Sequence, residues 1–257
     1  MRQEVDLNAD LGELAGPAGR ASDRAILKYV TSCAIACGGH AGDADSMYAT
    51  LKAARDEGVR IGAHPSYPDK AGFGRRPLTL SPDTLLESLK DQLMTFKHIA
   101  ETLGAKVFHV KPHGALYHQA ARSEQIAECL LEAARHVYGK RIALIGLADT
   151  CLENLTLKAG LSFYCEGFID RAYQSDGRLV ARDQPGAELS LRAAQIAQAL
   201  QIVQDHQVTT LDGKIIPIRI DTLCLHGDHA GAAELVREIG NAFRAQEITL
   251  RPLGGNR

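Results

Sequence analysis

The sequence predicts an α/β protein closed into a barrel of seven or eight parallel β/α units, on two observations. Short apolar runs alternate with helix-length amphipathic stretches, which is the pattern of parallel β/α repeats. Strand-like runs also end repeatedly in polar, reactive side chains, at Gly39-His40, His64-Pro65, His113-Gly114 and His226-Gly227. A strand feeding a tight turn delivers its last side chain to one end of the sheet. An open sheet would gather ligands at one switch point. Here strands one, two, three, four, six and seven all end in candidate groups, and closure into a barrel brings those ends to one rim.

The strands fall near Val5-Asn8, Cys33-Cys37, Arg60-Ala63, Val107-Val110, Ile142-Gly146, Leu161-Glu166, Thr222-Leu225 and Ile248-Leu250. Between them Ser22-Asp23 reads as one helix start, Ser81-Pro82-Asp83 as an N-cap with proline in the first turn, and Ser123 with Glu124 as another start. Gly58, Gly104, Gly139 and Gly160 read as helix stops. From Pro82 to Leu103, Leu85, Leu86, Leu89, Leu93, Phe96 and Ile99 recur at helical spacing and form a core-packing stripe. Two segments break the rhythm. Thr210 to Ile220 looks like a hairpin around Asp212-Gly213, and Pro65 to Pro77 is a long loop rich in Gly, Pro and charge, a candidate active-site loop.

Composition sets the class of partner. With 257 residues and 45% hydrophobic content the chain can bury one large core, so residues 1–257 are read as one barrel domain. The net charge of -2, the lack of any block of like charges and the absence of Trp point to a small polar substrate, with neither nucleic acid nor membrane as partner. Charged Arg2 and Glu4 stand where a signal peptide would be apolar, so a cytoplasmic protein is expected. The 6 cysteines form no CxxC pair and sit mostly in apolar runs; Cys37, the one near the rim, reads as a small core residue.

The candidate site is drawn from the strand ends. Asp6, Asn8 and Asp10 close the first run, Glu166 and Asp170 the sixth, and Asp228 follows His226 by two residues. The catalytic set is Asp6, Asp10, His40, His64, Lys111, His113, Glu166, Asp170 and His226; the substrate-binding set is Asn8, Arg75, Arg76, Arg171 and Asp228. Asp10 or Asp6 suits a general base, because crowded carboxylates can have raised pKa values. His98, His109, His118, His136, His206 and His229 lack the strand-end pattern and are set aside.

Several runs carry a family resemblance. They are Val5-Asp6-Leu7-Asn8-Ala9-Asp10-Leu11-Gly12-Glu13, Ile35-Ala36-Cys37-Gly38-Gly39-His40-Ala41-Gly42-Asp43, Gly62-Ala63-His64-Pro65-Ser66-Tyr67-Pro68-Asp69, Phe73-Gly74-Arg75-Arg76, Val110-Lys111-Pro112-His113-Gly114-Ala115-Leu116-Tyr117, Asp170-Arg171-Ala172-Tyr173 and Cys224-Leu225-His226-Gly227-Asp228. Together they resemble the LamB/YcsF family over nearly the whole chain. The resemblance implies an irregular (β/α) barrel similar to that of polysaccharide deacetylases. It also implies the A component of a 5-oxoprolinase, which opens 5-oxoproline to L-glutamate with ATP hydrolysis alongside subunits B and C. Two positions depart from the family pattern: Ala34 replaces an Asn, removing an amide near the site, and Gly39 replaces a Phe, opening space beside His40.

A lactam is held by amide resonance, and phosphorylating its oxygen with ATP makes the ring carbon electrophilic. The site must then position water, take its proton and stabilise the tetrahedral intermediate. On this chemistry His64 and His113 shuttle protons to the leaving amine, Lys111 and Arg171 hold a phosphate or carboxylate, and Arg75-Arg76 clamp an anion. No Gly-x-x-x-x-Gly-Lys-Ser/Thr loop occurs, since Gly139-Lys140 lacks the rest, so ATP with Mg2+ is expected to be shared with partner subunits. Two other readings stand beside this one. A metal-dependent amide hydrolase or carbohydrate deacetylase could use Asp10, His64 and His113 as ligands, though no HExxH motif supports it. A non-catalytic lactam- or sugar-binding subunit would not need so many titratable groups.

Overall fold

The computed structural model describes residues 3–228 and 231–254; Arg2 and His229, named above, lie outside them. The strands are β1 (Glu4–Leu11), β2 (Ser32–Ala36), β3 (Arg60–His64), β4 (Val107–Val110), β5 (Ala143–Gly146), β6 (Ser162–Phe168), β7 (Gln207–Thr209), β8 (Ile215–Pro217), β9 (Thr222–His226) and β10 (Thr249–Leu250). The helices are α1 (Gly16–Leu27), α2 (Ala44–Asp56), α3 (Pro82–Thr102), α4 (Gly114–Ala120), α5 (Glu124–Tyr138), α6 (Cys151–Lys158), α7 (Arg192–Asp205) and α8 (Ala232–Ala245).

Strands β1-β2-β3-β4-β5-β6-β9 lie side by side, and β9 pairs back onto β1, so seven parallel strands close a barrel. Strand β10 adds only to the start of β1. The antiparallel pair β7 and β8 forms the hairpin foreseen around Asp212-Gly213.

Strand β1 alternates strictly between apolar and polar residues, which in an open sheet would mean one face in water. Both faces are buried here. Val5, Leu7, Ala9 and Leu11 join the core that also holds Ile26 and Leu27 of α1, while Asp6, Asn8 and Asp10 face the barrel interior at no more than 3% exposure. A polar interior must satisfy itself by hydrogen bonds and ion pairs, because an unpaired buried charge is costly. That requirement shapes the site.

Around the barrel the helices bury apolar stripes. In α3, Leu85, Leu89, Leu93 and Phe96 are buried while Leu86 and Ile99 pack at the margin, as the spacing predicts. Each fully buried large side chain stabilises the fold by roughly 1.5–3 kcal/mol. The caps at Ser81 and Ser123 accept from Thr84 N and Ile126 N. Helix α1 differs from expectation, for it starts at Gly16 with Pro17 in its first turn and no side-chain cap. Asp23 therefore lies inside the helix, where it accepts from Gly12 N and Thr50 Oγ1 at 3.0 Å each. Among the described residues no helix is long and apolar enough to cross a membrane.

Candidate active site

The C-terminal ends of the strands form the mouth of the barrel. Register places Asp10 of β1 opposite both Ala34 of β2 and His226 of β9. His64 is the last residue of β3. Pro112 stops β4, yet the chain stays beside β3 for two more bonds, Lys111 N to Ala63 O at 3.0 Å and His113 N to Pro65 O at 2.8 Å. Gly114 then turns into α4 at φ +57°, where a Cβ would meet Gly74 O at 2.6 Å. Only glycine fits this approach. The 65–77 loop is thereby drawn over the mouth, with Ala115 N donating to Gly74 O at 2.9 Å.

Lys111 is the hub of the interior. Its ammonium reaches Asp10 Oδ1 at 2.7 Å, Glu166 Oε1 at 2.8 Å, Cys224 Sγ at 3.1 Å and Asn8 Oδ1 at 3.2 Å. Burial pushes the lysine toward neutrality, but the charges facing it, Asp10 foremost, hold it protonated and its pKa well above the ordinary value. Burial would likewise raise Asp10; His64 and Lys111 outweigh it and hold the carboxyl well below the usual range. Asp10 is therefore a fixed anion, contrary to the raised pKa expected of a general base. Asn8 lies beneath, donating to Thr222 Oγ1 at 2.7 Å and Glu166 Oε1 at 3.1 Å.

Asp6 does not reach the mouth. Strand β1 runs on to Leu11, which leaves Asp6 deep in the barrel with its carboxylate taken by the hydroxyls of Thr31, Ser32 and Thr222 at 2.6–2.7 Å. Burial raises its pKa despite these donors. Its position is that of an interior anchor.

Beside Asp10 stands a group not foreseen as a unit: Glu13, His40, His64 and His113, all buried. Glu13 Oε1 lies 3.0 Å from His40 Nε2, 3.1 Å from His113 Nδ1 and 3.8 Å from His64 Nε2. His40 is stacked on His113 with ring centroids 3.6 Å apart. Such a donor set could hold a metal ion. Gly39 does not open the space expected beside His40, because a Cβ there would sit 2.5 Å from both Gln92 Oε1 and Ser66 Oγ. The Gln92 amide fills that place, accepting from Ser66 N at 3.0 Å and donating to Ser66 O at 2.9 Å.

Across the mouth Asp170 and His226 form a carboxylate–imidazole pair, with Oδ2 2.8 Å from Nδ1. Burial alone would lower the His226 pKa, but Asp170 raises it. Arg182 Nη2 donates to the other ring nitrogen, Nε2, at 2.9 Å. Arg171 is buried, and its guanidinium donates to the main-chain carbonyls of Val180 and Ala187 at 2.6 and 3.3 Å. Desolvation pulls its pKa down to about 10. Arg75 reaches Asp228 Oδ2 at 2.7 Å, linking the loops after β3 and β9. Arg76 instead points out and pairs with Asp69.

Two hollows meet here. A small one of about 30 Å³ is lined by Asp10, His64, Lys111, His113, Arg171 and His226. A larger one of about 350 Å³ is lined by Arg75, Asp170, Arg182, Arg192, His226 and Asp228. Residues the sequence reading passed over include Glu13, Arg182 and His109. His109 is fully buried inside the barrel over Gly62, with neither ring nitrogen partnered among the described residues. Burial pushes its pKa down to about 3, so it is neutral. The Cys37 thiol, raised by burial, is the core residue expected.

Residues 5–257 match the model of the LamB/YcsF family. The chain belongs to the LamB/YcsF family. It is 44% identical over 255 residues to the A component of 5-oxoprolinase from Methylococcus capsulatus, covering 99% of this chain and 98% of that one. It is 42% identical over 247 residues to the A component from Chloroflexus aggregans, covering 96% and 98%. Among solved structures, the lactam utilization protein from Thermus thermophilus superposes with a TM-score of 0.89 at 35% identity, covering 97% of this chain and 100% of that one. This LamB/YcsF chain thus matches these relatives over nearly their whole length, barrel and mouth loops included.

Proposed function

We propose that this chain is the A component of an ATP-dependent 5-oxoprolinase, which opens the lactam 5-oxoproline to L-glutamate together with subunits B and C. The observation that carries this reading is the match, at 44% identity over 99% of the chain, to the A component of 5-oxoprolinase from Methylococcus capsulatus. The mouth of the barrel supplies chemistry that suits it.

In this reading the His226–Asp170 pair is the general base. Nδ1–H donates to Asp170, which fixes the tautomer and leaves the Nε2 lone pair toward the mouth, where it can take a proton from water. Arg182 must first leave that nitrogen. The substrate carboxylate, or a phosphoryl group placed on the lactam oxygen, is an anion that would draw it off. Arg171, buried beside the small hollow with only main-chain carbonyls as partners among the described residues, is the second anion holder. Lys111 is less suited to that task than its sequence position suggests, since its three protons already have the oxygens of Asp10, Glu166 and Asn8 as acceptors, with Cys224 Sγ in contact as well. Its role is to keep Asp10 ionised and fixed. ATP with Mg2+ activates the lactam in the complex, and this chain carries out the hydrolytic step. Glutamate release from 5-oxoproline by the chain with and without ATP, and with and without subunits B and C, tests the division of labour.

A further inference from the structure

Two imidazoles at the mouth have one nitrogen each committed to a main-chain carbonyl. His64 Nδ1 lies 2.7 Å from Lys111 O, and His113 Nε2 lies 2.9 Å from Phe73 O. A carbonyl only accepts, so both nitrogens carry hydrogen and donate. In a neutral ring the opposite nitrogen then holds a lone pair. Those nitrogens, His64 Nε2 and His113 Nδ1, face each other at 3.0 Å.

The crowding does not stop there. Glu13 Oε1 sits 3.1 Å from the His113 nitrogen and 3.0 Å from His40 Nε2. The other Glu13 oxygen, Oε2, is buried with no partner among the described residues. Lone pairs and a carboxylate converging in a dry pocket repel one another unless something positive lies between them. Lys111 does not serve, because its ammonium is held by Asp10, Glu166 and Asn8.

We propose that Glu13 Oε1, His40 Nε2, His64 Nε2 and His113 Nδ1 bind one divalent cation of the zinc type. Three imidazole nitrogens and one carboxylate oxygen, all within 4.8 Å of one another, make a set suited to such an ion. The carbonyls of Lys111 and Phe73 orient two of the rings from behind, which is the usual outer support of metal-binding histidines. The set differs from an Asp10, His64 and His113 triad. Asp10 Oδ2 lies 3.4 Å from His64 Nε2, nearer than Glu13 Oε1 at 3.8 Å, but Asp10 Oδ1 is bound by Lys111. It is Glu13 Oε1 that also reaches His40 Nε2 at 3.0 Å and His113 Nδ1 at 3.1 Å, so Glu13 takes the carboxylate place. The inference rests on the lactam-opening reading only for its use: a cation there would supply a Lewis acid for the lactam carbonyl. The site itself is tested without substrate.

The test is metal content by plasma mass spectrometry on the full chain grown with zinc and washed free of loose ions, together with visible spectra after Co2+ is added to chelated protein. About one equivalent of metal per chain and d–d bands of Co2+ bound to nitrogen and oxygen ligands are expected. Glu13→Gln should bind Co2+ roughly tenfold or more weakly. His64→Ala and His113→Ala should lose the metal, and Asp10→Asn should keep it. Circular dichroism identifies the folded variants. If every histidine variant unfolds, the wild-type content and Co2+ spectrum decide alone. Folded wild-type chain that neither carries metal nor takes up Co2+, with 15N spectra showing His113 doubly protonated, would overturn the proposal in favour of a shared proton. Full metal content in folded Glu13→Gln and His113→Ala variants would overturn it as well.

Discussion

Arg182 Nη2 donates to His226 Nε2 at 2.9 Å while Asp170 holds the opposite side of the same ring at 2.8 Å. The imidazole is thus fixed in one tautomer, and its basic nitrogen is capped by a cation. An anion that takes Arg182 gains a charge-assisted partner and uncovers the base in the same movement. In the proposed reading, substrate binding and activation of the base are thereby coupled through one side chain.

Replacing Arg182 with Gln should therefore weaken the enzyme chiefly through substrate affinity. Losing one hydrogen bond to a charged group costs about 1.5–3 kcal/mol, or roughly a 10- to 150-fold fall in kcat/KM carried mostly by KM. Steady-state kinetics of the assembled complex measure this. A fall in kcat at unchanged KM would contradict the anion-holding role.

The pH profile should carry the His226 signature. Asp170 raises this histidine above its ordinary 6.5, and the base works only when neutral, so kcat/KM should fall as pH drops through a value above 6.5. Asp170→Asn removes the raising charge and keeps the burial, which should move that limb to lower pH. The rate should drop by about 10²–10⁴. A profile with an unmoved limb would contradict the assignment.

Lys111→Met should leave the Asp10 and Glu166 carboxylates buried without their cation. Breaking a buried pair from one side costs about 3–5 kcal/mol. Urea unfolding followed by circular dichroism reads the loss directly.

Asp23 sets a stability test away from the mouth. Burial raises its pKa from 3.8 to about 6, above the unfolded value, so its contribution is most favourable below pH 4 and is lost as pH rises through 6. Asn mimics the protonated form and can still accept from Gly12 N and Thr50 Oγ1, both of which now bond to one oxygen. Asp23→Asn should stabilise the fold at pH 7.5 by about 2–3 kcal/mol and flatten the pH dependence between 4 and 6. Thermal unfolding across that range checks it.

The strand ends were legible because glycine and proline punctuate them: His64, His113 and His226 reach the mouth as their turns foretell, and the Asp212-Gly213 hairpin forms. Depth was harder to read. Nothing in Val5-Asp6-Leu7-Asn8 shows that the strand continues to Leu11, so Asp6 was expected at the rim it does not reach. Glu13 lies beyond the strand end, where a carboxylate ordinarily reads as a turn residue, and only the tertiary structure brings it back onto three histidines. Arg182 lies in the 169–191 stretch, where two isolated bridges replace any periodic element, and sequence periodicity has no purchase there. At Gly39 the space is filled by Gln92, 53 residues further on in α3, a long-range contact that the local sequence does not show.

The most direct test of the whole account is glutamate release from 5-oxoproline by the chain mixed with subunits B and C, with ATP present or withheld. Release only with ATP and partners, abolished by Asp170→Asn in a folded chain, is the predicted result. No release in the complete mixture, or equal release by the chain alone without ATP, would contradict it.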